Sequence, residues 1–189
     1  MKYVVIVNGK PRSGKTTFEK ECIRYLDEME ASNCYILSSI DPIKEIYTKL
    51  GWNGIKTDKA RKDLSTLKNI WISNNNGPTN YIIEEVMRLS TYEDHVIFVD
   101  IREESEIIKL MDVLEPLSIL GIKYTTVFID RPDNSCTEYG NKSDDMAGNN
   151  MSIYKYTIIN DGRIGQLLEM ARNFIKLIIE EDEENGNGK

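Results

Sequence analysis

Histidine and cysteine are scarce in this chain. Its 189 residues contain one histidine, His95, and three cysteines, Cys22, Cys34 and Cys136. One imidazole excludes a multi-histidine metal centre, and with that imidazole at the start of an apolar run a histidine-based hydrolytic triad is not expected. An odd number of cysteines with no CxxC spacing offers neither a disulfide framework nor a zinc site, and a reducing, cytoplasmic setting is expected. His95 opens an apolar run and reads as a strand-edge residue. Long apolar runs are missing too, and none approaches the roughly 20 residues that span a bilayer. The start, MKYVVIVNGK, is apolar only over 3–7 before a glycine loop, so it reads as a strand and not as a signal peptide. Positive charge is in deficit: 24 Lys and Arg against 31 Asp and Glu give a formal net charge of −7. Broad electrostatic binding to nucleic acid is therefore not expected. The deficit is uneven, because five carboxylates at 180–184 against Lys189 put −4 in the last ten residues. Residues 181–189 are expected to be a solvated, disordered acidic tail.

What is present alternates between two periods. Short β-branched or aromatic runs at 3–7, 34–37, 96–99, 124–129 and 156–159 read as buried strands. Helical spacing links Phe18, Cys22, Leu26 and Met29, and again Ala60, Leu64, Leu67 and Trp71 within 58–72. Asp41 with Pro42 predicts a helix start, Asp41 as N-cap, running to Gly51. SNNNGP at 73–78 breaks the next helix, and Pro78 starts another to about Leu89. Ile107, Ile108, Met111 and Leu114 mark a helix that Pro116 ends or kinks. Ile164 to Ile178 recur as a last amphipathic helix. The stretch 130–152 is polar and rich in Gly, Asn and Asp, the kind of long loop that is functional or mobile. Strands alternating with helices predict an α/β fold, a five-stranded parallel sheet with helices on both faces. Ligands of such sheets bind at the carboxyl ends of the strands.

The strongest motif lies at that end of the first strand. Gly9-Lys10-Pro11-Arg12-Ser13-Gly14-Lys15-Thr16 is GxxxxGK[ST] in full, between a strand and a helix. The glycines let successive N–H groups point at phosphate oxygens, and the following helix adds the positive end of its dipole. Lys15 supplies charge for the β- and γ-phosphates, and the Thr16 hydroxyl suits Mg²⁺. Arg12, Ser13 and Thr17 complete the nucleotide-binding set. Asp100 ends the third strand, VIFVD, at the position where a carboxylate holds Mg²⁺. A three-layer P-loop NTPase fold with ATP and Mg²⁺ as cofactors follows.

Together these motifs resemble the nucleoside monophosphate kinase group of P-loop kinases, and within it the deoxynucleoside monophosphate kinase-like and adenylate kinase-like proteins. The resemblance covers most of residues 3–180. It implies that Ser38-Ser39-Ile40-Asp41-Pro42-Ile43-Lys44 begins an acceptor-binding helical insertion over about 41–92, with Asp41 a substrate-binding candidate. It implies that Arg61, in KTDKARKDLSTLK, and Arg102, in Asp100-Ile101-Arg102, grip the acceptor phosphate. The donor base would rest against Asn160-Asp161-Gly162. Residues 131–152 would be the lid, with Arg131 its only arginine and Lys142 a second charge. Lids of the family usually carry more than one arginine, so this one is sparse.

The chemistry asks for such cations. A dianionic acceptor must approach an anionic triphosphate, and arginine forks can align its oxygens in line with the γ-phosphate. The expected function is ATP-dependent phosphoryl transfer to a nucleoside or deoxynucleoside monophosphate, or a similar small phosphorylated acceptor. Lys15, Arg102 and Arg131 are its catalytic residues, and its partners are small nucleotides. Two alternatives stand beside it: a degenerate nucleotide-binding protein without turnover, and a kinase for a non-nucleotide phosphorylated metabolite. Asn141-Lys142-Ser143-Asp144 matches the guanine-reading NKxD pattern, but no apolar strand precedes it, and no DxxG lies between it and the phosphate loop.

Overall fold

The structure is a computed structural model, and it describes residues 1–55, 57–91, 94–132 and 147–186. Five parallel strands form one sheet in the order β2-β3-β1-β4-β5. They are β1 (Lys2–Asn8), β2 (Asn33–Ser38), β3 (His95–Asp100), β4 (Ile122–Asp130) and β5 (Tyr156–Ile159). The three central strands carry unbroken β-branched and aromatic runs because both of their faces are covered. The outer two differ from the expectation of five buried strands. β5 alternates half-buried with exposed residues, and β2 is buried only at Leu37 and Ser38. Both are sheet edges, where one flank meets solvent or loops.

Helices α1 (Lys15–Glu28), α2 (Asp41–Lys49), α3 (Asp58–Asn75), α4 (Gly77–Ser90), α5 (Glu104–Leu114) and α6 (Ile164–Gly186) complete the chain. On one face Phe18, Cys22 and Leu26 of α1 and Ala171, Phe174 and Ile175 of α6 pack on Val5, Val7, Phe98 and Ile129. On the other face Ile82 and Val86 of α4 and Ile107 and Leu110 of α5 pack on Val4, Ile6, Ile97 and Val99. So α4 packs directly on the sheet, and of the helices in the expected 41–92 insertion only α2 and α3 lie outside both core clusters. α5 stops at Leu114, and a 3₁₀ segment, Glu115–Leu120, begins with Pro116 near its start.

Three local readings change. Asp41 is the first helical residue of α2 and Ile40 the N-cap. Asp41 instead accepts a hydrogen bond from the Ser38 backbone N–H at 2.9 Å, closing the turn after β2. Asn76, left-handed at φ 52°, joins α3 to α4 in one residue where a longer break was expected. The charged end from 181 continues α6 to Gly186. Two of its carboxylates have partners: Asp182 pairs with Lys123 at 2.8 Å, and Glu181 accepts from Lys155 at 2.8 Å and from the Tyr156 hydroxyl.

Candidate active site

The carboxyl ends of β1, β2 and β3 lie level, with Val7 and Ser38 both in register with Asp100. The connection leaving β1 runs to β2 on one side, and the connection leaving the neighbouring β3 runs past β1 to β4 on the other, so the adjacent ends of β1 and β3 mark the topological switch point. A cavity of about 560 Å³ opens there. It falls within the range of small-molecule sites.

The phosphate loop forms its inner wall. Gly9 has φ 152°, and a Cβ there would lie 2.5 Å from the Ile129 carbonyl oxygen. Gly14, at φ 103°, would press a Cβ to 2.7 Å from Asn160 Nδ2. Only glycine lets the loop pass this close to β4 and to the end of β5. Between them Arg12 is left-handed, at φ 63°. The Lys15 ammonium folds back across the loop and donates to the Gly9 carbonyl at 2.5 Å and the Lys10 carbonyl at 3.2 Å. The first turn of α1 contains no acidic residue, so its positive end faces the cavity without a competing side chain.

Two acids stand under the loop. Asp100 lines the cavity, and its Oδ1 is buried with no hydrogen-bond partner among the described residues. Glu19, four residues after Lys15, is 2% exposed, and its Oε1 likewise has none. Burial lifts the Glu19 carboxyl to about 7, the charge of Asp100 adds to the lift, and Lys15 opposes it. Sequence reading missed Glu19, although it lies three residues before Cys22 on the same stripe, a spacing that puts a carboxylate on a core face. The orphaned Asp100 oxygen and the Thr16 hydroxyl on the same cavity wall fit a hard divalent cation.

Asn160 braces this end. Its Nδ2 donates to the Ser13 carbonyl at 2.7 Å, its Oδ1 accepts from Gly162 N–H at 3.0 Å, and its own N–H donates to the Asp130 carbonyl at 2.7 Å. One end of the amide thus holds the phosphate loop, and the other closes the turn after β5. Arg131 lines the cavity and donates to the Arg12 carbonyl at 3.3 Å. Lys142, the NKSD tract and most of the expected lid lie outside the described residues.

The opposite wall comes from α3 and the ends of β2 and β3. Arg61, Ser65 and Lys68 recur at helical spacing and all face the cavity, with Ser38, Ser39 and Lys44 across from them. Arg61 has no ion pair among the described residues. Arg102 follows β3 and lines the same space. Asp41 does not line it, because its carboxylate is occupied by Ser38 N–H and by Lys44 at 2.7 Å. Gly9 also stands back, shaping the loop from beneath. Arg12, Ser13, Gly14, Lys15, Thr16, Thr17, Arg61, Asp100, Arg102, Arg131 and Asn160 are brought together around one space. Sequence reading missed Lys68 and Glu103. They pair across this wall, and Lys68 also lies 3.4 Å from Glu106 and from the Ser39 hydroxyl.

Seven cationic side chains and two carboxylates line the cavity, in a chain whose net charge is −7. The inversion points to a ligand with several negative charges.

No family model and no curated protein sequence matches the chain. Solved structures do. The Mycobacterium tuberculosis APS kinase CysC, in complex with AMPPNP and APS, aligns at 17% identity over 94% of this chain and 97% of its own, with a TM-score of 0.51. A protein described as APE1195 aligns at 14% identity over 94% and 96%, with a TM-score of 0.53. The thymidylate kinase of Ehrlichia chaffeensis aligns at 16% identity over 93% and 98%, with a TM-score of 0.44. The strand order, the phosphate loop between β1 and α1 and the first two of these likenesses agree: the chain has a three-layer α/β P-loop fold like that of the CysC APS kinase.

Proposed function

We propose that this protein is an ATP-dependent phosphotransferase, and that its acceptor is a nucleoside or deoxynucleoside monophosphate. One observation carries the reading: the cations of α3 and of the β3 end face the phosphate loop across a single cavity. A nucleotide-binding protein without turnover has no need for a second set of phosphate-sized cations opposite the first.

The loop amides, the α1 N-terminus and Lys15 hold the triphosphate of ATP. Lys15 exchanges its contacts with the Gly9 and Lys10 carbonyls for β- and γ-phosphate oxygens. Arg61 and Arg102 hold the acceptor phosphate and turn one of its oxygens toward the γ-phosphorus. That oxygen forms the new O–P bond as the bond from the γ-phosphorus to the bridging oxygen breaks, and ADP leaves with the bridging electrons. No general base is required, because a phosphate monoester is already ionised near neutrality. Arg131 and Arg12 stand where charge spreads over the transferring group. Thr16 and Asp100 would hold Mg²⁺, which supplies charge neutralisation between the β- and γ-phosphates when bound.

The test is ADP release measured with ATP, Mg²⁺ and each common nucleoside monophosphate in turn. Release that depends on a monophosphate, and that Lys15→Ala removes while the protein stays folded, is the expected result. ATP binding without acceptor-dependent release from any monophosphate would contradict the reading.

A further inference from the structure

β1 ends on a buried amide. Val4, Val5, Ile6 and Val7 meet the demand of a strand covered on both faces with aliphatic side chains, but Asn8, equally buried, does not. A buried amide is unfavourable unless its polar atoms are bonded, and those of Asn8 are. Its Oδ1 accepts from the Gly9 N–H at 2.6 Å, at the start of the phosphate loop. Its Nδ2 donates to the Arg102 carbonyl at 3.3 Å and to the Tyr154 hydroxyl at 2.6 Å. The Gly9 N–H can only donate and the Arg102 carbonyl can only accept, so together they fix which end of the amide is which.

The place of this side chain in the sheet gives the bonds their use. Pairing of β1 with β3 ends at Val7 and Asp100, and the Ile101 N–H still reaches the Val7 carbonyl at 3.3 Å. One residue further on, the Asn8 amide takes over from the backbone and joins the phosphate loop to the turn that carries Arg102. Asn8 does not itself line the cavity. It stands behind the point where the two walls meet. Phosphoryl transfer depends on the distance and the line between the attacking oxygen and the γ-phosphorus, and both follow from how the walls are set against each other.

We infer that Asn8 is a positioning residue for phosphoryl transfer, its amide holding the phosphate loop and the Arg102 turn at the separation that aligns the acceptor oxygen with the γ-phosphorus. The inference rests on the phosphotransferase reading above. Tyr154 supplies the control. Its ring packs on Phe128 with centroids 5.1 Å apart, and it does not line the cavity. Removing its hydroxyl takes one hydrogen bond from the same buried network but leaves Gly9 and Arg102 joined through Asn8.

The experiment is steady-state turnover of the full-length protein with ATP and Mg²⁺, well below the melting temperature of each variant. The acceptor is whichever of the eight common ribo- and deoxyribonucleoside monophosphates gives the fastest ADP release from the parent. Asn8→Ala should lower kcat about 10-fold or more while the KM values for ATP and for that monophosphate stay within about 3-fold of the parent. Asn8→Leu, which fills the same space without the bonds, should show the same split. Tyr154→Phe should lower the melting temperature and keep kcat near that of the parent. If either folded Asn8 variant keeps the parent kcat, or if Tyr154→Phe loses as much, the inference is overturned while the phosphotransferase reading stands. Failure of both Asn8 variants to fold would assign the residue to stability and overturn it as well. Absence of monophosphate-dependent ADP release from the parent would overturn the phosphotransferase reading, and the inference with it.

Discussion

The two walls of the cavity are built by opposite means. The phosphate-loop wall is mostly backbone: the loop from Gly9 to Thr16 turns by way of Gly9, Arg12 and Gly14 at positive φ, and ends in the N-terminus of α1. The opposite wall is side chain: Arg61 and Lys68 from α3, Arg102 and Glu103 after β3, and Ser38 and Ser39 at the end of β2 converge from separated stretches of chain. A backbone site tolerates little change in conformation but needs few particular side chains. A side-chain site can be retuned one residue at a time, which suits the substrate-choosing role we propose for this wall.

That difference can be broken or sharpened by substitution. The largest effect is expected at Lys15. Lys15→Ala should lower kcat by about 10²–10³-fold or more, by analogy with the loss of one preorganised donor to a transition state. Its melting temperature should stay near that of the parent, read by calorimetry alongside turnover.

Next come the two arginines proposed to hold the acceptor phosphate. Arg61→Ala and Arg102→Ala should each raise the acceptor KM by about 10–100-fold, since a charge-assisted hydrogen bond contributes about 1.5–3 kcal/mol. ATP-analogue affinity should hardly move. Equal losses of both affinities would mean that the two walls are not separate.

Asn160→Ala tests the backbone wall from behind. It leaves the buried Ser13 carbonyl without its donor, at a cost of about 1–3 kcal/mol. The expected signature is a lower melting temperature together with a raised KM for ATP and an unchanged acceptor KM. If Asn160 served the donor base instead, affinity for ATP would fall while affinity for inorganic triphosphate would not.

The smallest effect concerns the helices behind the loop. Hydrogen bonds from Arg24 and Arg172 to Glu21 hold its carboxyl down at about 2, below the ordinary 4.5, and Arg172 comes from α6. A depressed carboxyl pKa stabilises the fold above its unfolded value, and that stability disappears as pH falls from about 4.5 toward 2. Urea midpoints measured across this window should therefore fall for the parent. They should fall less steeply for Glu21→Gln.

How much could be read beforehand follows the same division. The phosphate loop is contiguous, so its whole pattern and its strand–helix setting are visible in eight letters. The helix stripes and the central strands are also legible, because a covered strand must be apolar on both faces. β2 and β5 were misjudged as buried because a short apolar run looks alike at the edge and the centre of a sheet. Asp41 attracted a substrate role by its place after β2, yet its carboxylate is consumed by the turn it closes. Lys68 and Glu103 are 35 residues apart and each sits in a charged stretch, so nothing local marked them as partners. The acidic end read as solvated because its partners, Lys123 and Lys155, lie on or beside the far ends of strands.

The sequence by itself determined the phosphate loop, the alternation of strand and helix, and hence the α/β layers. Those depend on local conformation and on periodicity, which operate over a few neighbouring residues. The tertiary structure alone decided the order β2-β3-β1-β4-β5, the choice of which cations share a cavity, and the burial of Glu19 and Lys68. Charge in water is weakly coupled beyond about 10 Å, so a sequence of solvated lysines and glutamates carries no sign of which will meet. Only packing, by excluding water and fixing distances, turns some of them into a binding site.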